Sequence, residues 1–234
     1  MNTRRSIFIA FASPKGGVGK STSCLCVAGA LAKQGHTVHV VDFDQTQTLY
    51  RWYTSNDIAN TIPNIKVERG PIENLKDYLH HMLALEADYV LIDLAGTFTD
   101  YMLHLAVFAD MTITPAKLSE PDILEAAKLD QQLKSLAARI GKPIAHRILI
   151  NEVPPLILAG YQRHALDQLD HSQLSRFATL IHYRAAYPEA FLTGLPPHYA
   201  DASRATVAKA VEEIDHVVGE IHAAFEDQQQ KAAA

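Results

Sequence analysis

Short apolar runs rich in Val and Ile alternate along the chain with longer stretches in which apolar residues recur at helical spacing. Runs buried on both faces and separated by helices are what a parallel sheet with crossover helices requires. Ile7–Ala12, Val38–Asp42, Tyr89–Asp93, Met111–Thr114 and Ile144–Ile150 read as strands, with weaker ones at Ile65–Glu68 and Thr179–Ile181. Helices are predicted over Lys20–Gln34, Ile72–Leu85 and Asp122–Ala138, with a last one from about Ala202 to Phe225. The pattern predicts an α/β fold: a single doubly wound, mostly parallel sheet flanked by helices. Pro154-Pro155, Pro188 and Pro196-Pro197 punctuate the later part, yet none sits in a Gly/Ser linker. Residues 1–227 therefore read as one domain, and the low-complexity 228–234 as a flexible tail.

Composition narrows the classes. A 234-residue chain that is 48% hydrophobic can bury one sizeable core. The two cysteines, Cys24 and Cys26, are too few for a disulfide framework and fit a reducing compartment. No apolar run approaches the roughly 20 residues that span a bilayer, and Met1–Arg5 leads straight into a strand rather than a signal-peptide core. A cytoplasmic location is expected. The net charge of −5 argues against an unconditional nucleic-acid binder, but the charge is uneven. Acids far outnumber lysines from Pro71 to Asp130, whereas from Arg139 to Lys209 the bases Arg139, Lys142, Arg147, Arg163, Arg176, Arg184, Arg204 and Lys209 outnumber Glu152, Asp167, Asp170, Glu189 and Asp201. The twelve histidines show no short metal-ligand spacing paired with an acid or cysteine.

The segment Ser13-Pro14-Lys15-Gly16-Gly17-Val18-Gly19-Lys20-Ser21 follows a buried strand and opens a helix. Its glycines let successive N–H groups and the helix N-terminus point at phosphate oxygens, with Lys20 adding charge near the β- and γ-phosphates and Ser21 available to Mg²⁺. Val41-Asp42-Phe43-Asp44 ends the second strand with two carboxylates at the sheet's carboxyl edge. Tyr89-Val90-Leu91-Ile92-Asp93 is an apolar strand ending in an acid, the form of a Walker B.

These motifs, with Lys15 ahead of the glycines, resemble the deviant Walker A of the ParA/MinD P-loop ATPases, and the resemblance extends from Ile7 to about Phe225. It implies an ATPase with ATP and Mg²⁺ as cofactors, weak and stimulated by a partner. Gly16, Gly17, Val18, Gly19, Lys20, Ser21 and Thr22 would hold the phosphates, and Lys15 would reach the ATP of a second copy across a nucleotide-sandwich homodimer. Asp44 would orient the attacking water; Ser21, Asp42 and Asp93 would organise Mg²⁺, the carboxylates through water. Leu94-Ala95-Gly96-Thr97 is similar to the second switch loop, and Asn151 stands where relatives place an asparagine that reads adenine. Relatives often continue the first switch with Pro-Gln, whereas here it is Gln45-Thr46-Gln47-Thr48, followed by a helix expected at Leu49-Tyr50-Arg51-Trp52. Ile113–Lys117 followed by Pro121-Asp122-Ile123 is similar to the family's stretch after its fifth strand and carries no expected catalysis.

The block from Ile181 to Ala190, with Gly194 and Pro196 beyond, is closer to partition ATPases than to MinD, and with the phosphate loop so near residue 1 a protein of the small type, lacking the helix-turn-helix of larger relatives, is expected. This resemblance implies a small partition-type switch: an ATP-dependent dimer that binds DNA non-specifically, associates with the nucleoid, and answers to a partition-type adaptor. Arg163, Arg176, Arg184, Arg204 and Lys209 are the DNA-binding candidates. VirC-type ATPases of conjugative transfer share the short layout and also lack Pro-Gln, and a ParA-like positioner of a protein cargo is a further reading. A MinD-like membrane switch would need a basic amphipathic end, but Glu212-Glu213-Ile214-Asp215 through Glu226-Asp227 is acidic, so no membrane partner is expected. A cluster-carrying relative would need cysteines at a dimer seam, a dethiobiotin-synthetase-like ligase would lack Lys15, and a vestigial ATPase would not keep Lys20, Asp44 and Asp93.

Overall fold

The apolar runs become strands β1 (Ile7–Phe11), β2 (Val38–Asp42), β3 (Ile65–Arg69), β4 (Tyr89–Asp93), β5 (Met111–Lys117) and β6 (Ala145–Asn151). In this computed structural model, which describes residues 5–71, 75–96 and 100–233, they pair in parallel in the order β3-β2-β4-β1-β5-β6. The helices are α1 (Lys20–Lys33), α2 (Thr48–Ser55), α3 (Ile58–Thr61), α4 (Leu75–Leu83), α5 (Asp100–Phe108), α6 (Glu120–Ile140), α7 (Gly160–His171), α8 (Ala186–Thr193) and α9 (Ala205–Ala233). Residues 72–74, at the start of one expected helix, lie outside the described residues.

Period-two alternation divides the central strands between two apolar layers. Ile9, Phe11, Val40, Leu91 and Ile113 pack with Leu25, Leu31, Trp52, Val217 and Ile221 of α1, α2 and α9. Phe8, Ala10, Val41 and Ile92 pack on the opposite face with Met82, Leu105, Leu129 and Leu133 of α4, α5 and α6. Cys24 and Cys26 are free and buried in the first layer, where burial pushes the Cys26 thiol up to about 12 and keeps it unreactive.

The expected strand at Thr179–Ile181 does not form a ladder. Among the described residues the chain here meets β6 and the residues after it through isolated bridges, Ile148 to Arg176 and Val153 to His182, and through the Ile181 amide, which donates to the Ile150 carbonyl at 2.9 Å. Between them the chain bends because the Glu220 carboxylate of α9 takes the Ala178 and Thr179 amides, at 2.8 and 2.9 Å, that a strand would offer to its neighbour. The last helix also differs from expectation: it runs on to Ala233 through Gln, Lys and Ala residues, which are good helix formers.

Strand register places the acids side by side. Phe11 of β1 and Asp42 of β2 both pair with Asp93 of β4, so the loop after β1 leaves the sheet beside both carboxylates. Lys117 of β5 and Asn151 of β6 end the neighbouring strands in register.

Candidate functional site

The loop from Ser13 to Gly19 turns at the carboxyl edge using Gly17 and Gly19, whose φ angles of 71° and 93° are costly for any residue with a Cβ. Gly19 occupies the cap position of α1 and has no side chain to cap it, so the first amides of the helix remain available to an anion. Val18 is buried, whereas Gly16 and Gly17 are exposed and Ser21 and Thr22 are half-buried.

Lys20 is buried, and its Nζ donates to the Lys15 carbonyl at 3.1 Å, so the ammonium lies folded over the loop. Burial lowers its pKa, while the nearby charges of Asp93 and Asp44 work to raise it. Gly96 lies against it: a Cβ there would stand 3.3 Å from Lys20 Nζ and 3.5 Å from the Gly16 nitrogen. Thr97, the next residue of the expected switch loop, lies outside the described residues.

The three carboxylates have different surroundings. Asp42 is buried; its Oδ1 accepts from the Asp44 amide at 3.0 Å, and its Oδ2 from the Leu49 and Tyr50 amides at 2.9 and 3.0 Å. It thus anchors the first turn of α2, the helix expected at Leu49–Trp52, from seven residues away. Asp44 is half-buried and accepts from the Thr46 amide and hydroxyl at 2.8 and 2.7 Å, closing a tight turn where relatives have Pro-Gln. Asp93 is fully buried, and neither of its oxygens has a well-directed hydrogen bond among the described residues. Burial pushes its carboxyl up to about 8, aided by the charges of Asp42 and Asp44, while the nearby Ser21 hydroxyl and Lys20 hold it back.

Lys15 reaches sideways. Its Nζ forms an ion pair at 2.5 Å with Oδ1 of Asp122, a buried residue in the first turn of α6 whose other oxygen accepts from Ser119 Oγ at 2.8 Å. Asn151 is buried and braces the loop: its Nδ2 donates to the Val18 carbonyl and to Ser23 Oγ, both at 3.0 Å, while Oδ1 has no partner among the described residues. Between α1 and the segment after Ile181 lies a cavity of about 210 Å³, with Gly19, Thr22, Cys26 and Asn151 on one wall and Arg184 and Tyr187 on the other.

The basic candidates scatter. Arg184 is pulled inward: its side chain is only 14% exposed and its Nη2 pairs with Glu213 Oε1 at 2.5 Å, which removes it from any outward phosphate-binding surface. Arg176 is bound to Asp170 at 2.6 Å, and Arg204 reaches both Glu189 oxygens, at 2.7 and 3.0 Å. Arg163 on α7 and Lys209 on α9 are exposed and make no ion pair among the described residues.

Sequence reasoning missed three residues that shape the site: Asp122, Glu213, and Phe43, whose ring meets those of Tyr78 and Tyr101 edge-on at 5.7 and 5.9 Å. Only Asp122 carries a local signal, the Ser-x-x-Asp spacing of a helix N-terminus at Ser119.

A parallel sheet with a glycine loop between β1 and α1, and acids ending β2 and β4 beside it, is the P-loop architecture of the ParA/MinD type. The chain belongs to the VirC1 protein family, whose family model matches residues 7–226. It is similar to Protein ParA of Rhizobium radiobacter, 24% identical over 209 residues, covering 87% of this chain and 90% of that protein. Protein virC1 of the same organism is 27% identical over 164 residues, 69% of this chain and 71% of its own length. Among solved structures, a putative plasmid partition protein from Borrelia burgdorferi B31 bound to AMPPNP superposes with a TM-score of 0.69 at 16% identity, covering 92% of this chain and all of that one.

Proposed function

We propose that the chain binds Mg-ATP at the glycine loop, hydrolyses it slowly, and uses it to join two copies into a switch. The observation that carries this reading is the gathering of two lysines and one fully buried carboxylate, Asp93, around a helix N-terminus that Gly19 leaves without a side-chain cap. Residues Gly16 to Thr22 surround the phosphates with backbone amides, and Lys20 leaves the Lys15 carbonyl for the β- and γ-oxygens. Asp93 beside Ser21 fits a divalent cation, because a fully buried carboxylate with no well-directed hydrogen bond among the described residues is costly to charge and gains from a further positive charge. Mg²⁺, when bound, neutralises developing charge on the phosphates; Ser21 and Asp93 hold it, with Asp42 steadying the first switch. Asp44, half-exposed and close enough to Lys20 to affect its charge, is placed to orient a water. Asn151, its amide hydrogens spent on the loop, offers an acceptor to the amino group of adenine.

A titration with a fluorescent ATP analogue tests the core of this reading: Lys20→Ala should abolish binding, and unchanged binding would refute it. Lys15→Gln should keep nucleotide binding and lose the ATP-dependent dimer in light scattering. We propose that the dimer binds DNA without sequence preference through Arg163 and Lys209, with Arg176 and Arg204 contributing once released from their carboxylates. Its affinity should fall steeply with salt only when ATP is present. The VirC1 family match favours a conjugative-transfer intermediate as the cargo over a partitioned replicon; in either role a partner protein stimulates hydrolysis.

A further inference from the structure

The cavity beside the glycine loop has one firm wall and one suspended wall. The firm wall is α1 and the end of β6, tied together by Asn151. The suspended wall runs from His182 into the first turn of α8 at Pro188 and lies in no strand ladder among the described residues; the end of β6 and Val153 reach its start through the Ile181 amide to Ile150, the Val153 amide to the Ile181 carbonyl and the Tyr183 amide to Val153.

Glu213 of α9 supplies what the ladder does not. Its Oε1 accepts from His182 Nδ1 at 2.7 Å and from Arg184 Nη2 at 2.5 Å, and its Oε2 accepts from the Tyr187 hydroxyl at 2.7 Å and the His182 amide at 3.3 Å. One carboxylate, 8% exposed, therefore fixes three residues of the wall. Burial works against its charge, but hydrogen bonds from Arg184, Tyr187 and His182 outweigh it and hold its carboxyl below the usual range. Arg184 and Asn151 both line the cavity, and among the described residues Arg184 Nε and Asn151 Oδ1 are buried without a partner. A free donor and a free acceptor complement an amino group beside a ring nitrogen, the edge adenine presents.

We propose that Glu213 is a positioning residue for the base of the bound nucleotide, holding the His182–Pro188 wall and aiming Arg184 so that affinity and base preference depend on a side chain of the last helix. This rests on the nucleotide reading above and extends it to a residue that touches no part of the phosphate site.

Calorimetric titration of the full chain with Mg-ATP, Mg-GTP and Mg-tripolyphosphate separates the base from the phosphates. Glu213→Gln replaces an acceptor for several donors with an amide that must turn its own N–H groups toward them. It should weaken Mg-ATP about tenfold, the scale of one charged hydrogen bond, and narrow the preference for ATP over GTP. Tripolyphosphate, which has no base, should bind the variant within about twofold of wild type, less than half the logarithmic effect of that lost bond. Tyr187→Phe removes a single bond to Glu213 without disturbing its charge; it should show the same pattern at about two- to threefold and remains informative if the Gln variant misfolds. Unchanged ATP affinity in both variants would overturn the inference, as would a parallel loss of ATP and tripolyphosphate, which marks a general structural role. If wild type binds neither ligand, the nucleotide reading itself falls and takes this inference with it.

Discussion

At the scale of single residues, the glycine loop depends on how closely β6 approaches it. Gly19 sits at φ 93°, and a Cβ added there would meet Asn151 Nδ2 at 2.6 Å, far inside contact distance. Gly19→Ala must therefore adopt a left-handed conformation, at about 1–2 kcal/mol, and also displace the amide that holds Val18 and Ser23. A combined loss of at least about 2 kcal/mol should lower the melting temperature by about 4–8 °C in a chain of this size, and calorimetry reads it directly. The affinity for ATP should fall about tenfold or more, since the same shift misaligns the amides of α1. A variant that melts and binds like wild type would show that the loop tolerates a different backbone.

At the scale of elements, β3 at the sheet's edge is clamped to α4 and β2 through one carboxylate. Glu68 accepts from the Tyr78 hydroxyl, lies 3.0 Å from His81 Nε2, and pairs with His39 Nε2 at 3.2 Å. Burial alone would raise its pKa, but those partners together bring its carboxyl down to about 2. A depressed carboxylate stabilises the fold above its unfolded value of 4.5, and that contribution disappears as the pH falls from 4.5 to about 2. Because Glu68 is partly exposed, solvent screening limits the effect to about 1 kcal/mol. Thermal melts of Glu68→Gln should decline less steeply than wild type across that acid range, and parallel curves would remove Glu68 as the cause. The elements also show what local sequence can carry. Strands β1, β2 and β4 were legible because burial on both faces demands a nearly continuous apolar run, broken inside β2 only by His39, and because acids end two of them at the site. Helices α5, α7 and α8 were not: α5 is apolar on nearly every side, α7 is polar over most of its length and follows a proline-punctuated stretch, and α8 contains Pro188 within its first turn. The phosphate loop and Asp93 could be read from contiguous residues, whereas the bond of Lys15 to Asp122 and the grip of Glu213 join positions that only the folded chain brings together.

At the scale of the whole molecule, Lys15 faces a choice between two partners. Within one chain its ammonium is held by Asp122, whose carboxylate is fixed by Ser119 and the start of α6. In the proposed dimer the same ammonium must leave that pair and reach a phosphate bound to the second copy, so every dimer formed costs two such ion pairs. The Lys15 side chain is 37% exposed, which places each pair in the range of about 1 kcal/mol or less, a factor of up to about five in the equilibrium constant per pair. Asp122→Asn keeps the shape and the hydrogen bond to Ser119 but removes the charge that holds Lys15. The ATP concentration at which half the chains are dimeric, followed by light scattering, should therefore drop about two- to fivefold, with nucleotide affinity of the monomer nearly unchanged. Adding Lys15→Gln should erase the difference, because a glutamine gains nothing from release. If Asp122→Asn dimerises less readily than wild type, the Asp122 charge acts within the dimer itself, and the contact seen in the single chain is not a restraint on assembly.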